Sequence, residues 1–283
     1  MFEYLYGQIN NYQLILLAIS AILIGINKTG IPAIGPLPVV LMAMAFGGNE
    51  STGVVLVILG ITDIIAVSFY RKSADWRQIV RLIPCALVGL GAGWLILPYL
   101  NDIMMQYVIA IIILVLSAFN FVKKYLFPED AFSSRLNIVA PIFGFLAGLT
   151  TQLANAAGPV MAVYLLLMRL PKQTYMGTAA WYFLILNWLK IPIFISLDRI
   201  NWETFRSSIG ALPFMLIGAF AGYALLRKIP QKYFENAVQI LIVISALWLL
   251  FNPVKDKAAA DTDRAAGGNS IIEEKILLGD YAK

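Results

Sequence analysis

Apolar residues along this chain fall into runs separated by short polar interruptions, and the run lengths predict the elements. Gln13 to Ile26 is apolar but covers only about two-thirds of the roughly 20 residues a helix needs to cross a bilayer. A second short run, Leu37 to Phe46, closes at Gly47 and Gly48. Ser51–Phe69, Leu82–Leu100 and Ile103–Val122 read as full-length spans, the last two joined by a tight turn at Asn101 and Asp102. A polar linker, Lys123 to Arg135, follows. The pattern then starts again. Ile138–Leu149 and Val160–Met168 are short, whereas Tyr175–Leu197, Ser207–Leu226 and Phe234–Phe251 are long enough to span. Lys255 to Lys283, with its Ala and Gly tracts, reads as a linker plus a short charged peptide outside the fold.

The short runs flank two related interruptions, Gly25 to Pro36 (GINKTGIPAIGP) and Gly148 to Pro159 (GLTTQLANAAGP). In each, the first Gly stands ten positions before a Gly-Pro pair. Neither Gly nor Pro continues a helix cleanly, so both are read as broken elements that face each other. Further landmarks repeat in the same order: Asp75-Trp76 matches Asn201-Trp202, and Pro84, Gly89 and Gly93 match Pro213, Gly218 and Gly222 at identical spacing. The chain therefore divides into a first repeat (1–124), a linker (125–136), a second repeat (137–254) and a tail (255–283).

Composition narrows the class. Of 283 residues, 60% are hydrophobic and 13% charged, against about 25% charged in a soluble domain. This is the composition of a multi-pass membrane protein. No basic n-region precedes Leu14, so the first apolar segment is expected to remain as a membrane element. One cysteine and no histidine offer no ligand set for zinc, haem or an iron–sulfur cluster, and no cofactor or metal is expected. The usual general base is also missing, and no nucleophile–base pair stands out, so an enzyme is not expected. The net charge of +5 lies near the ends of apolar runs, where it sets topology rather than binding nucleic acid.

The basic loop at Arg71, Lys72, Arg77 and Arg81 is assigned to the cytoplasm, together with the central linker and Arg227, Lys228 and Lys232. The Asp198–Arg206 loop then lies outside. The expected fold is all-α and integral to the membrane: two inverted repeats, each a re-entrant or broken helix pair plus three transmembrane helices. The alternative lets each broken pair cross once, giving eight transmembrane helices in two parallel repeats. The shortness of the flanking pieces favours hairpins.

Half-helices starting near Ala33–Pro36 and Ala156–Pro159 would aim free N–H groups and positive dipole ends at the midplane. Gly35 and Gly158 let a ligand approach the backbone. Lys28 adds a full positive charge beside Asn27, Thr29 and Gly30, and Thr150, Thr151, Gln152 and Asn155 add neutral hydrogen-bonding groups. Together these describe a site for a small oxyanion; the bland alternative is that Thr and Asn only satisfy broken backbone. Asp63 and Lys190 are further intramembrane charges, with Asn187 aligned to Asp63 by the repeat. Asp63 either carries a coupling proton or neutralises Lys28 or Lys190. Lys190 either faces the site or snorkels to the interface.

On these residues the chain resembles the TauE/SafE sulfite exporter family (TSUP, 4-toluene sulfonate uptake permease-like transporters) from Leu14 to Phe251. The carriers are the Gly25–Pro32 segment, its Gly148–Pro159 counterpart and the two Pro…Gly…Gly spans. The resemblance implies a secondary transporter in the cell inner membrane for small sulfur-containing anions such as sulfite, thiosulfate or sulfoacetate. It also implies export, with proton coupling suspected; a passive anion channel or uniporter is the alternative. The implied partners are the anion, the lipid bilayer and protons, with no nucleic acid and with oligomerisation left open. The family's opening motif falls on Gly25, Asn27, Lys28, Gly30, Gly35 and Pro36, but Thr151 stands in the second copy where Lys28 stands in the first. Which copy holds the anion's charge is thus open.

Overall fold

The computed structural model describes residues 10–32, 36–46, 48–96 and 136–251, with a helical run at 110–116 and a few isolated positions near it. Gly35, most of the span expected over Ile103–Val122, the linker up to Arg135 and the tail lie outside the described residues. Those described are helical throughout: α1 (Asn11–Thr29), α2 (Pro36–Phe46), α3 (Gly48–Tyr70), α4 (Trp76–Ile96), α5 (Leu136–Ala154), α6 (Ala157–Leu167), α7 (Lys172–Ser196), α8 (Trp202–Gly210), α9 (Leu212–Lys228) and α10 (Gln231–Phe251). Helices α1, α3, α4 and α7 are each long and apolar enough to cross a membrane, and α8 with α9 forms a fifth span bent by 48°. Large apolar side chains such as Ile15, Val80, Val88, Ile217 and Phe220 point outward. In lipid that orientation costs nothing. The chain is an all-α integral membrane protein.

Three boundaries differ from the hydropathy reading. Helix α1 does not stop at Ile26; it runs 19 residues to Thr29, so Asn27 and Lys28 lie in its last turn. Helix α5 likewise runs to Ala154 and takes in Thr150, Thr151 and Gln152. The polar centres are therefore wound, and the breaks lie just beyond them. Their hydroxyls explain why: Thr29 reaches the Gly25 carbonyl at 3.0 Å and Thr150 the Leu146 carbonyl at 2.8 Å, one turn back in each case. The third difference is the span expected over Ser207–Leu226, which bends at Ala211. Pro213 lacks an N–H and its ring crowds the preceding turn.

Each broken pair doubles back. The Gln13 amide at the start of α1 donates to the Ala45 carbonyl at the end of α2 (2.8 Å), and Tyr164 near the end of α6 meets Phe143 in the first half of α5 (5.6 Å between rings). Helices α3 and α7 lie side by side and antiparallel. Gly53 near the start of α3 abuts the Arg199 carbonyl just past α7, and Gly177 near the start of α7 abuts Tyr70 and Ser73 at the end of α3. The Asp-Trp and Asn-Trp pairs turn out to be helix starts. Asp75 accepts from the Arg77 N–H at 3.0 Å, and Asn201 from the Thr204 N–H at 3.0 Å.

The two Pro…Gly…Gly spans bind the broken helices of the opposite half. A methyl built on Gly89 of α4 would lie 2.0 Å from the Phe145 carbonyl oxygen of α5, and one on Gly218 of α9 would lie 2.1 Å from that of Ile22 in α1. One turn on, Gly93 meets Gln152 and Gly222 meets Thr29. Phe145 and Ile22, and Gln152 and Thr29, are equivalent positions of the two copies. Backbones this close are the small-residue packing of membrane helices, where dispersion replaces the hydrophobic effect.

Gly89→Ala and Gly218→Ala should each cost about 1–3 kcal/mol by overpacking. Thermal unfolding in detergent should report this, while Gly91→Ala, where an added methyl meets nothing within 4 Å, leaves the midpoint unchanged.

Candidate functional site

The last turn of α1 holds Lys28, which is buried at 8% exposure, so its ammonium needs a partner within the protein. The partner comes from α3: Nζ of Lys28 sits 2.5 Å from Oδ1 of Asp63, which is fully buried. The other carboxylate oxygen accepts from Nδ2 of Asn187 on α7 at 2.6 Å. Phe183, one turn before Asn187 on α7, presents its ring face to the Lys28 ammonium, 4.0 Å from the centroid. Of the roles open to Asp63, the structure has it paired with Lys28, and the repeat-aligned Asp63 and Asn187 touch.

The second break has no lysine of its own, and α7 supplies one. Nζ of Lys190, fully buried, donates to the Thr151 carbonyl (2.7 Å) and to Oδ1 of Asn155 (2.5 Å), with Oγ1 of Thr151 at 3.3 Å. Lys190 does not snorkel; it caps the C-terminal end of α5, where carbonyls lack helical partners and the dipole is negative. Asn155 stops α5 in a left-handed conformation, φ 52°, which Asn tolerates better than most residues. Helix α6 then starts at Ala157, and Ala156 before it makes no side-chain cap, so its first-turn N–H groups are free of that competition.

The two breaks do not sit at one depth. The Thr29 carbonyl is held by Tyr70 at one end of α3 (2.6 Å), and Asn155 lies 3.4 Å from the Thr52 carbonyl near the other. Eighteen positions separate Thr52 from Tyr70, about 27 Å of helix. The end of α1 and the end of α5 thus lie toward opposite ends of α3, while the start expected near Ala33–Pro36 falls in part on 33–35, outside the described residues. What the two breaks share is a cavity of about 770 Å³, its open mouth included, between α1, α3, α6 and α7. Asn27, Lys28 and Pro32 line it from the first break, and Thr151, Asn155 and Gly158 from the second. The long lysine side chains bring charge inward from both ends, and Asn187, three positions from Lys190, borders the same space.

Other expected residues stand elsewhere. Thr29 and Gly30 are taken up by packing on α9: the Thr29 hydroxyl reaches the Ala219 carbonyl at 2.6 Å, and Gly30 abuts Gly222. Thr150 turns its hydroxyl back into α5. Gln152 is buried against Gly93 in the α4–α5 interface, and neither of its amide atoms has a hydrogen-bond partner among the described residues. Asp63 and Lys190 stand behind the cavity wall and act on it through Lys28, Thr151 and Asn155. Phe183 was not anticipated. Its signal was the face Met176, Ala179, Ala180, Phe183, Asn187 on α7, whose spacing of three and four places all five on one side; all five line the cavity.

Breaking the buried pair on one side should be severe. Asp63→Asn leaves the Lys28 ammonium uncompensated and should cost about 3–5 kcal/mol, whereas Lys28→Met combined with Asp63→Leu should fall within about 1 kcal/mol of the parent. Thermal unfolding of the parent and the two variants, purified in detergent, measures the difference.

The family model described as sulfite exporter TauE/SafE matches residues 17–249. No curated protein and no solved structure matches the chain. The match takes in both breaks, the Lys28–Asp63 pair and every helix from α2 to α9. The family is one of membrane transporters rather than enzymes, and this chain, a multi-pass membrane protein built around a lysine-lined cavity, belongs to the sulfite exporter TauE/SafE family.

Proposed function

We propose that this protein is an inner-membrane secondary transporter that exports small sulfur oxyanions or organosulfonates, holding the anion between the two breaks. One observation carries the reading: the Lys28 ammonium borders a cavity reached by both broken helices, and its partner is a single carboxylate. Among the described residues around that cavity, two lysines, Lys28 and Lys190, stand against one carboxylate, Asp63, so the lining favours an anion over a cation. Asn27, Thr151, Asn155 and the uncapped start of α6 at Ala157 and Gly158 supply neutral donors.

The two halves are read as inverted repeats. The antiparallel run of α3 against α7 supports this, as do the matched glycine contacts of α4 on α5 and of α9 on α1. Charge orients them. Arg71, Lys72, Arg77, Arg81, Lys172, Arg227 and Lys228 gather at the Tyr70 end of α3, while Asp198, Arg199, Glu203 and Arg206 balance at the Thr52 end. The Tyr70 end is therefore cytoplasmic. Alternating access is read as rocking, about α3 and α7, of two glycine-tied bodies, α4 with α5 and α9 with α1.

The Lys28–Asp63 pair also suggests how a proton couples to the anion. An arriving oxyanion competes with Asp63 for the ammonium, and protonating Asp63 removes the competitor, so proton and anion bind together. With the inside negative, a monoanion that leaves without the proton gains about 2.3 kcal/mol per 100 mV, whereas one that leaves together with a proton moves no net charge and gains nothing from the potential.

Purified protein in vesicles loaded with sulfite, thiosulfate or sulfoacetate should release at least one of them. The Lys28→Met/Asp63→Leu variant should lower that flux at least tenfold, about 1.4 kcal/mol, at unchanged stability. An unchanged half-saturation in this variant would take Lys28 out of the site. Between pH 6 and 8, where sulfoacetate keeps a constant charge, its affinity should rise as pH falls. Loss of that dependence in Asp63→Asn supports coupling through Asp63; its persistence assigns passive uniport.

A further inference from the structure

A second pocket, about 610 Å³ with its mouth, opens between the end of α3, the start of α7 and the end of α9. Ser73, Lys172 and Arg227 supply its polar wall, and Phe69, Tyr70 and Tyr223 its floor. No carboxylate lines it. Phe69 stacks on Tyr223 with centroids 4.6 Å apart, and Tyr70 meets Tyr223 edge-on at 5.6 Å. The Lys172 ammonium donates to the Leu226 and Ile229 carbonyls at 2.8 and 2.5 Å, which ties down the end of α9 and leaves one N–H unused. The Arg227 guanidinium lies 5.8 Å from the Tyr223 ring and makes no hydrogen bond to a described residue. Arg71, Lys72 and Lys228 follow directly in sequence and add to the positive field at this mouth.

The back wall of this pocket is also the end of the first break. Tyr70, 4% exposed, donates its hydroxyl to the Thr29 carbonyl at 2.6 Å, and Thr29 is the neighbour of Lys28. One tyrosine and the last turn of α1 thus stand between a cationic surface pocket and the lysine of the central cavity.

We propose that this pocket is the loading vestibule of the transporter: it captures the oxyanion from the cytoplasm on Arg227, the spare N–H of Lys172 and the Ser73 hydroxyl, one step before Lys28. The assignment rests on the transporter reading above. A sulfonate and a lipid phosphate share the chemistry that recognises them here, and the free anion is the intended occupant because the pocket backs onto the first break.

The test places a cysteine in the pocket. In a Cys85→Ser background, which removes the chain's one native thiol, Ser73→Cys is labelled with anionic and cationic thiosulfonates in vesicles of either orientation. Labelling should occur from the cytoplasmic side and favour the anionic reagent. Arg227→Gln should reduce that preference roughly threefold, the effect of one unit charge at short range in a wet site. Sulfoacetate should slow the labelling in vesicles of zwitterionic lipid. In flux measurements Arg227→Gln should raise the half-saturation for cytoplasmic anion at least threefold, with the maximal rate and the external half-saturation unchanged.

A preference indifferent to Arg227→Gln, or protection that needs anionic lipid and ignores sulfoacetate, overturns the vestibule; the latter outcome marks a headgroup site. If the parent protein moves no sulfur anion while labelling behaves as expected, the transporter reading fails and an anion-binding pocket remains. If flux is normal and Arg227→Gln alters neither measurement, the vestibule fails alone.

Discussion

A charge inside a bilayer must be neutralised or hydrogen-bonded by the protein itself, and this structure is arranged around two lysines that obey that rule differently. Lys28 finds the Asp63 carboxylate. Lys190 finds the neutral carbonyl and amide oxygens at the end of α5. Placing a lone charge at a helix centre costs about 2.5–3.5 kcal/mol even on insertion scales, so both sets of contacts constrain where the helices can sit. Helix α7 serves both: Asn187 braces Asp63, and Lys190, three positions on, holds the second break. The site is thus held by one helix whose two polar residues point to opposite halves of the molecule.

The same economy governs the backbone. Unwound segments at membrane depth survive only where protein covers them or a cavity solvates them. Winding α1 through Thr29 and α5 through Ala154 keeps the gaps short, and the hydroxyls of Thr29 and Thr150 fold back onto their own helices. At the second break the Asn155 and Ala156 N–H groups still close onto the Thr151 and Thr150 carbonyls, so little backbone is left unpaired where the chain meets the cavity wall.

Packing separates the parts that hold from the parts that move. Glycine-mediated contact ties α4 to α5 and α9 to α1, each pair drawn from both halves of the chain. Helices α3 and α7 run between them with the Asp63–Asn187 hydrogen bond across their contact. Close backbone packing resists sliding, so each glycine-tied pair is expected to travel as a body. The α3–α7 contact is backbone-close at both ends as well, at Gly53 against Arg199 and at Gly177 against Tyr70, so the exchangeable element between the helices is the Lys28–Asp63 ion pair. An anion can only bias two states that it binds differently.

Much of this was legible in the sequence. Hydropathy placed α3, α7 and α10 to within three residues, and the repeated glycines announced the two spans, α4 and α9, that pack closely on the broken helices. The polar triplet at Asn27–Thr29 and the buried Asp63 marked where the chain departs from a greasy helix. Other features depended on neighbours far along the chain. Thr29 and Gly30 read as site residues until α9 claimed them, and Lys190 stood open between site and interface until Asn155 and Thr151 enclosed it. Phe183 was marked only by the periodic face it shares with Met176, Ala179, Ala180 and Asn187. Composition and periodicity determine which residues leave water and which helices form, because those depend on each residue's own chemistry and its near neighbours. Which lysine meets which carboxylate, and which threonine faces a cavity rather than a glycine, depended on how the antiparallel α3 and α7 brought the two halves together.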